Sequence, residues 1–508
     1  MFNDPRRRFR ERAGMVLLLG LLAAAAGAGE KATREVGLAE CAGLALENNL
    51  GLKIEKVGRR MAGLEADAAR GGYDPELSIS ARRAHEESAG ESAGTAEGAL
   101  EVLGSETDAD TWKASVGGAT GLWGSSYEVG GQLGRTKGER GGNPFDTSTG
   151  SAGVMLTQPL LKGFRSDGVR YRVRLAEGQS AEAAAQLEEK AQATLAAVES
   201  AWYSLVQARE AVRVQEEAVR LATRLYEDNA RKVEIGTMSA LDEKHAASQA
   251  ASARADLSSA RRGAAEAQNR LKGLVFGDQR GQLGVELAAA GELAAERRET
   301  DAAASGERAL ERRPDLRRAR LALERQGLAK AHQRDQTLPA LDLTAGAGWA
   351  ASEEDGYGDA ADRIGSMDEP YWSAGIVLTV PLGNRAERAR YLQSAAAEEK
   401  ARLQLREAEE AALEEAYNAA EAVATGWEKV LATREAREYA EQALEAEQRK
   451  LDSGKSTSFV VLQLQRDLTS ARNGEIAALA DYNRQQSALA LAEGTILERL
   501  GVELGENP

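Results

Sequence analysis

Three histidines and one cysteine are all that 508 residues supply of the side chains that most often bind metals or act as nucleophiles near neutral pH. His245 stands alone on a helical stretch and reads as a solvated residue. Cys41 has no second cysteine, so a disulfide within the chain is impossible and a Cys-based metal site is nearly so. Carboxylates are abundant, with Asp and Glu totalling 80. They recur beside Arg and Lys at i+3 and i+4 spacings, the pattern of solvated helix faces rather than of an acid–base pair. No Gly-rich phosphate loop follows a strand. The residues therefore point away from an enzyme, and no metal or cofactor is expected. A formal charge of −15 speaks against a basic-patch nucleic-acid binder.

With chemistry set aside, the elements themselves carry the information. Ala, Glu, Arg, Gln and Leu dominate long tracts, aromatics are 5% and there are nine prolines. Such a composition favours long helices and coiled coils. The N-terminus reads differently. Arg6, Arg7, Arg8, Arg10 and Arg12 precede the apolar run Met15–Ala26, and Ala26-Gly27-Ala28 forms an A-x-A cleavage site. That is a secretory signal peptide over 1–28, and its removal leaves a charge of −18. Cys41 follows Leu38-Ala39-Glu40 well past the apolar run, so a small residue on a helix face suits it better than a lipidated terminus. No later apolar run reaches membrane-spanning length, so a membrane-crossing mature chain must cross as a β-barrel.

The chain says the same thing twice. GVMLTQPLLKGF (153–164) and GIVLTVPLGN (375–384) are near-copies that end strand-like segments at a proline. Val198, Leu205, Val212, Val219, Tyr226 and Val233 are spaced by seven, with Gly236 three later. Adding 218 gives Ala416, Val423, Val430, Arg437, Leu444 and Leu451, with Gly454 three later. A sustained heptad specifies a left-handed supercoiled seam, with Arg437 its one exception. The internal duplication is thus helix, strand pair, very long helix, glycine tip and returning helix, twice.

Residues 29–275 form the first repeat, with a barrel hairpin over 76–158 and long helices over 166–274. A linker or equatorial segment covers 276–302. Residues 303–508 form the second repeat, with a hairpin over 340–381 and long helices over 384–500. Four main strands per chain cannot close a barrel, but three copies give twelve, an even number that suits antiparallel closure. Segment 111–135 alternates like a strand and leaves three options open: an added hairpin, strands extended above the membrane, or a surface loop. The fold class is therefore mainly α with β, a coiled-coil tunnel plus a transmembrane barrel completed by trimerisation. Trp202, Tyr203, Tyr417 and Trp427 read as packing residues, and Trp112, Trp123, Trp349 and Trp372 as an interfacial belt, with loop packing a nearly equal reading for Trp123. The acidic stretches 86–110 and 353–368 read as solvated loops.

Several stretches bring a known family to mind. LAECAGLALENNLGLKIEKVGRRMAGLEADAARGGYDPELSIS, QPLLKG, LPALDLT, IGTMSALDEKHAASQA and SGKSTSFVVLQLQRDL resemble, in that order, the opening helix, barrel exit, second barrel entry and two helical tips of the TolC-like outer-membrane efflux proteins. The resemblance covers nearly the whole mature chain. It implies a homotrimer in the cell outer membrane with its tunnel in the periplasm, serving as the passive exit duct of a tripartite efflux or type I secretion system. A periplasmic adaptor, an inner-membrane pump and outer-membrane lipid are the implied partners. It places adaptor docking at the tips Gly236, Thr237, Gly454 and Lys455, barrel–tunnel junctions at Pro75, Pro159, Pro339 and Pro381, and a periplasmic gate at Val460 and Gln463 with Asp242 on the facing tip. The family's acidic gate ring is replaced here by Val460 and Gln463, so an apolar collar gating by dewetting is expected, with Ser456 or Lys455 as a partner for Asp242. The alternative is a periplasmic coiled-coil scaffold or adaptor without a channel. The cargo is not legible.

Overall fold

Helix formers fill the tracts between the prolines, and the chain folds accordingly. The computed structural model describes residues 33–88, 92–95, 98–101, 105–140, 143–278, 280, 285–289, 291, 293–354 and 356–502. Its elements are β1 (Thr33–Val36), α1 (Leu38–Asn48), α2 (Leu50–Arg70), β2 (Glu76–Ser88), β3 (Ser92–Thr95), β4 (Gly98–Glu101), β5 (Ser105–Ala119), β6 (Ser126–Arg140) and β7 (Asn143–Pro159). They continue as α3 (Gly168–Glu234), α4 (Ala240–Val275), β8 (Glu286–Ala289), α5 (Ala302–Arg312), α6 (Pro314–Gln336), β9 (Ala340–Glu353), α7 (Tyr357–Ser366) and β10 (Pro370–Thr379). The chain ends with α8 (Arg385–Asp452), α9 (Ser458–Ala492) and α10 (Ile496–Leu500). The proposed signal peptide lies outside the described residues, as does part of the acidic stretch after His85.

The duplication is visible in the helices. Asn49 separates α1 from α2, and Arg313 separates α5 from α6. Helices α3 and α8 run 67 and 68 residues, about 100 Å at 1.5 Å per residue. Each stops in the same way. The Gly236 amide donates to Val233 O and that of Thr237 to Lys232 O, while the Gly454 and Lys455 amides donate to Leu451 O and Lys450 O. Both glycines have positive φ, 75° and 73°, which a residue without Cβ adopts at no steric cost. The heptad positions Val198, Leu205, Ala416, Val423, Val430 and Leu444 are buried. Arg437 is accommodated in the seam because Glu475 on α9 lies 2.6 Å from it and Glu441 3.1 Å.

One sheet is built from both repeats, in the order β10-β9-β7-β6-β5-β2, antiparallel throughout. The four expected segments are all present as β2, β7, β9 and β10. The expectation of four main strands is nevertheless corrected to six, because segment 111–135 supplies most of β5 and β6. These two pair along their lengths and lie between β2 and β7. The stretch 353–368 also differs from a plain loop, since α7 packs Ile364 over Gly150 and Leu133.

Between sheet and tips lies the best-packed region. Val36, Cys41, Ala45, Val198, Trp202, Leu205, Leu271, Val275 and Leu287 form one core, beside the parallel pair β1–β8. In the second repeat Tyr482 is fully buried against Val423, Val430 and Leu489, 5.5 Å from the Trp427 ring. Its hydroxyl donates to Glu296 O at 2.9 Å and accepts from the Arg298 amide at 3.0 Å, which pins the segment before α5 to α9. Nearby, buried Glu493 accepts from Ser305 at 2.7 Å and Arg308 at 2.6 Å. Burial pushes this carboxyl up, but the Arg308 and Ser305 hydrogen bonds outweigh it and hold it below the ordinary value of 4.5.

Tyr482→Phe leaves a carbonyl and an amide without their partner and is expected to cost about 1–3 kcal/mol, read by chemical unfolding followed by helical circular dichroism. Unchanged stability would mean that water replaces the hydroxyl. The depressed Glu493 group contributes stability that is present above about pH 4.5 and is lost as pH falls through its lower folded value. Glu493→Gln is therefore expected to weaken the acid limb of a stability-versus-pH curve, and an identical limb would place the sensitivity elsewhere.

Candidate duct wall and helical tips

Strand alternation sorts the sheet into two chemistries. From the register, one face carries Leu77 and Ile79 of β2, Trp112, Ala114 and Val116 of β5, and Val129 and Leu133 of β6. Val154 and Leu156 of β7, Ala345, Ala347 and Trp349 of β9, and Trp372, Ala374, Ile376 and Leu378 of β10 continue it. Most of its large side chains are exposed in the single chain. The other face presents mainly small and polar residues, Ser78, Ser80, Lys113, Ser115, Glu128, Gly130, Gln132, Ser151, Gly153, Thr344, Gly346, Ser373 and Gly375, together with Met155, Tyr371 and Val377. Lys113 and Glu128 pair there at 2.7 Å.

The apolar face has a defined height. Along β9 it runs from Leu341 to Ala351, about 25 Å for strands tilted near 40°. Beyond it the same face turns charged. Arg83 lies 3.8 Å from Asp110, His85 3.0 Å from Asp108, and Arg135 holds Asp146 through two bonds of 2.8 and 2.7 Å. Trp112 and Trp349 sit near this boundary, while Trp123 lies at the opposite end and stacks on Phe164 at 6.2 Å. Trp202 is buried and Tyr417 exposed. Among the described residues no helix is long and apolar enough to cross a membrane, and no cluster of His, Cys, Asp and Glu could hold a metal.

The four prolines stand where strand meets helix. Pro75 precedes β2 after a 3₁₀ turn at Gly71–Tyr73, Pro159 ends β7, Pro339 precedes β9 and Pro381 follows β10. At the far ends of the long helices, Gly236, Thr237, Gly454 and Lys455 form the two tips. Val460 lies in the first turn of α9, exposed beside Phe459, and Gln463 donates to Asp467 at 3.0 Å. Asp242 sits in the first turn of α4, capped by Ser239. The expected partners of Asp242 are engaged differently. Ser456 donates to Glu447 at 2.6 Å, and together with Lys450 it holds the Glu447 carboxyl below its ordinary value. Among the described residues no bond joins Asp242 to Ser456 or Lys455.

What ties the two tips together is a pair the sequence reading did not single out. Ser458 at the start of α9 donates to Asn229 on α3 at 3.3 Å and contacts Met238 Sδ at 3.8 Å. Both Ser458 and Asn229 are buried. Asn229 lies four residues before Val233, on the turn next to the heptad seam, a signal visible only once the partner helix is in place. Ile235, Leu241 and Phe459 leave large apolar side chains exposed around this bond. His245, read as solvated, meets the Phe459 ring edge-on at 6.5 Å.

Comparison with known proteins agrees with this geometry. A family model described as outer membrane efflux protein matches residues 126–275 and 306–495, one segment in each repeat. No curated protein matches the sequence. Among solved structures the chain is similar to the outer-membrane channel OprN, at 17% identity and TM-score 0.66, covering 90% of each chain. It is also similar to the Campylobacter jejuni outer membrane channel CmeC, at 15% and 0.66 over 94% of this chain and 91% of that one. The Vibrio cholerae outer membrane protein VceC gives 16% and 0.64 over 90% and 96%. At these identities the structures share the fold. With an apolar sheet face of membrane height, two repeats of one plan and a family model matching both, the chain belongs to the outer membrane efflux protein family: it is an outer-membrane channel and not an enzyme.

Proposed function

We propose that three copies of this chain close into the exit duct of a tripartite efflux or type I secretion system, with a gate at the periplasmic tips. The observation that carries closure is that both layers of the chain are open on the same two flanks. In the sheet, β2 and β10 are the unpaired edges. In the helical layer, Arg70–Glu177 joins α2 to α3, Glu182–Arg325 joins α3 to α6, and Lys330–Glu398 joins α6 to α8. The helix order is therefore α2-α3-α6-α8, and its ends lie beneath the ends of the sheet.

Each outer helix carries an unpartnered apolar stripe. On α2 it is Leu50, Ile54, Val57, Met61 and Leu64, each more than half exposed and spaced 4-3-4-3. On α8 it includes Leu392, Leu403 and Leu431. A head-to-tail contact sets β10 and α8 of one copy against β2 and α2 of the next, the kind of interface that generates rings. It removes the open sheet edges and gives the α2 stripe a coiled-coil partner. Three copies follow the family resemblance, and with six strands each the barrel has eighteen.

The tips serve as docking points for a periplasmic adaptor, with Gly236, Thr237, Gly454 and Lys455 at their ends. Val460 and Gln463 form the gate, an apolar collar with a polar ring beside it. Asn229 and Ser458 latch the two hairpins of each chain, and Asp242 borders the latch without joining it.

Ile54→Asp combined with Met61→Asp places charges in the stripe and is expected to convert a detergent-solubilised trimer into single copies, read by oligomeric mass. A trimer of unchanged stability would put the interface elsewhere. Ser458→Ala removes a bond worth about 1 kcal/mol, so the open fraction of the duct should rise about fivefold in planar-bilayer conductance. A conductance equal to wild type would sink the latch.

A further inference from the structure

We propose that the β5–β6 hairpin is an inserted module of the barrel wall that widens the outer-membrane pore enough for a hydrophilic macromolecule about 25 Å across. The inference rests on the closed-ring reading above. It starts from the completeness of the pairing. Strand β5 pairs with β2 from Glu76↔Gly117 to Ser88↔Ser105, and with β6 from Ala119↔Ser126 to Ser105↔Arg140. Strand β6 pairs with β7 from Ser126↔Thr157 to Arg140↔Asn143. No strand of the sheet bypasses the hairpin.

The side chains of the hairpin obey the same two-face rule as the rest of the wall. Trp112, Ala114, Val116, Tyr127, Val129 and Leu133 continue the apolar face, and Lys113, Ser115, Glu128 and Gln132 the polar one. A surface flap has no need for that alternation, whereas a strand between lipid and water requires it. The direction of the chain also fits an insertion. Strands β2 and β7 are already antiparallel to one another, so adding or removing an up-down pair between them leaves every other connection unchanged.

The hairpin reaches the full height of the wall and is locked at its lower end. Its turn, Thr120 to Ser125, closes through a Thr120 amide bond to Ser125 O at 2.7 Å. Gln158 Nε2 donates to Trp123 O and Arg170 Nη2 to Gly121 O, both at 2.9 Å. The turn is thereby clipped to both sides of the linker between β7 and α3. Gly124, at φ 72°, approaches Gly163 O so closely that a Cβ would clash with it.

The consequence is a matter of girth. A strand tilted by about 40° occupies about 6.3 Å of circumference. Eighteen give about 113 Å, hence a backbone diameter of about 36 Å, whereas twelve at the same tilt give about 24 Å. The tunnel below contributes four helices per copy, and twelve helices spaced by up to about 10 Å give about 120 Å. The eighteen-strand wall therefore matches the tunnel in girth. Allowing about 5 Å per side for side chains, half the spacing of packed sheets, the bore is about 26 Å against about 14 Å for twelve strands. A folded domain of some fifty residues is about 25 Å across. Gly130, Ser151, Gly153, Gly346 and Gly375 keep much of the lining short, with Met155 and Tyr371 its large side chains, and Lys113 and Glu128 offset one another's charge.

The test uses the full mature chain with Cys41→Ala and a single lumenal thiol, Ser151→Cys, together with the same protein lacking residues 105–140. Particle images of the intact trimer should show eighteen strands, and its thiol should react from the outer side with polyethylene-glycol maleimides up to about 25 Å across. The excised form should admit only the smaller reagents. A trimer with twelve wall strands, or the same size limit in both forms, overturns the proposal. If the excised form does not fold, the strand count and the size limit of the intact trimer still decide. A protein that never forms a detergent-requiring ring sinks the duct reading itself, an outcome distinct from a ring with a narrow wall.

Discussion

A lipid bilayer offers no hydrogen bonds, so every backbone amide and carbonyl inside it must find a partner within protein. That constraint organises the molecule. A single chain satisfies it across four of its six strands and leaves β2 and β10 with one open side each. Neither the sheet nor the outer helices can be complete alone, and their deficits fall on the same flanks. In the proposed ring these deficits cancel, and the helices joined to the strands at Pro75, Pro159, Pro339 and Pro381 take the same order.

The helical layer solves a different problem with the same economy. A helix of about 100 Å is far longer than any helix stable by propensity alone, so its order comes from packing along a seam. Burial along that seam is uneven. Val198 and Leu205 near the equator are fully buried, while Val212 and Val219 towards the tip are only partly so. The equator adds the Tyr482 clamp and the Glu493 and Glu199 ion pairs, in which Ser487 and Arg499 hold Glu199. Towards the tips burial passes to other positions, Ala246, Leu444, Val461, Leu462 and Leu468 among them, and to the Asn229–Ser458 pair.

Much of this was legible because it is periodic. The heptads, the offset of 218 residues and the repeated strand ending at proline are patterns that one sequence displays directly, and the long helices, the glycines that end them and the prolines flanking the strands fall where they indicate. The hairpin was harder because its alternation is diluted by glycine on both faces. Gly117, Gly130 and Gly134 fall on the polar face and Gly118 and Gly131 on the apolar one, so the hydrophobic signal of each strand is weak although its pairing is complete. The Asn229–Ser458 bond was hidden for another reason. It joins residues 229 positions apart, and neither has a neighbour in sequence that announces the contact.

With Val460 and Gln463 as the proposed gate, two neutral side chains stand where the family resemblance implies acids. A ring of like carboxylates closes a pore against its own repulsion and responds to cations and pH. An apolar collar closes by expelling water and is indifferent to both. Phe459, Ile235 and Leu241 are apolar and exposed, and the bond that joins the two hairpins links two neutral side chains. The nearest depressed carboxyl, Glu447, is already committed to Lys450 and Ser456 within its own hairpin. In the proposed gate the collar itself is neutral, while Asp242, His245 beside Phe459 and Asp467, the acceptor of the Gln463 bond, stand around it. On the proposed reading, contacts that a docking partner makes at the tips supply the free energy that opens the duct.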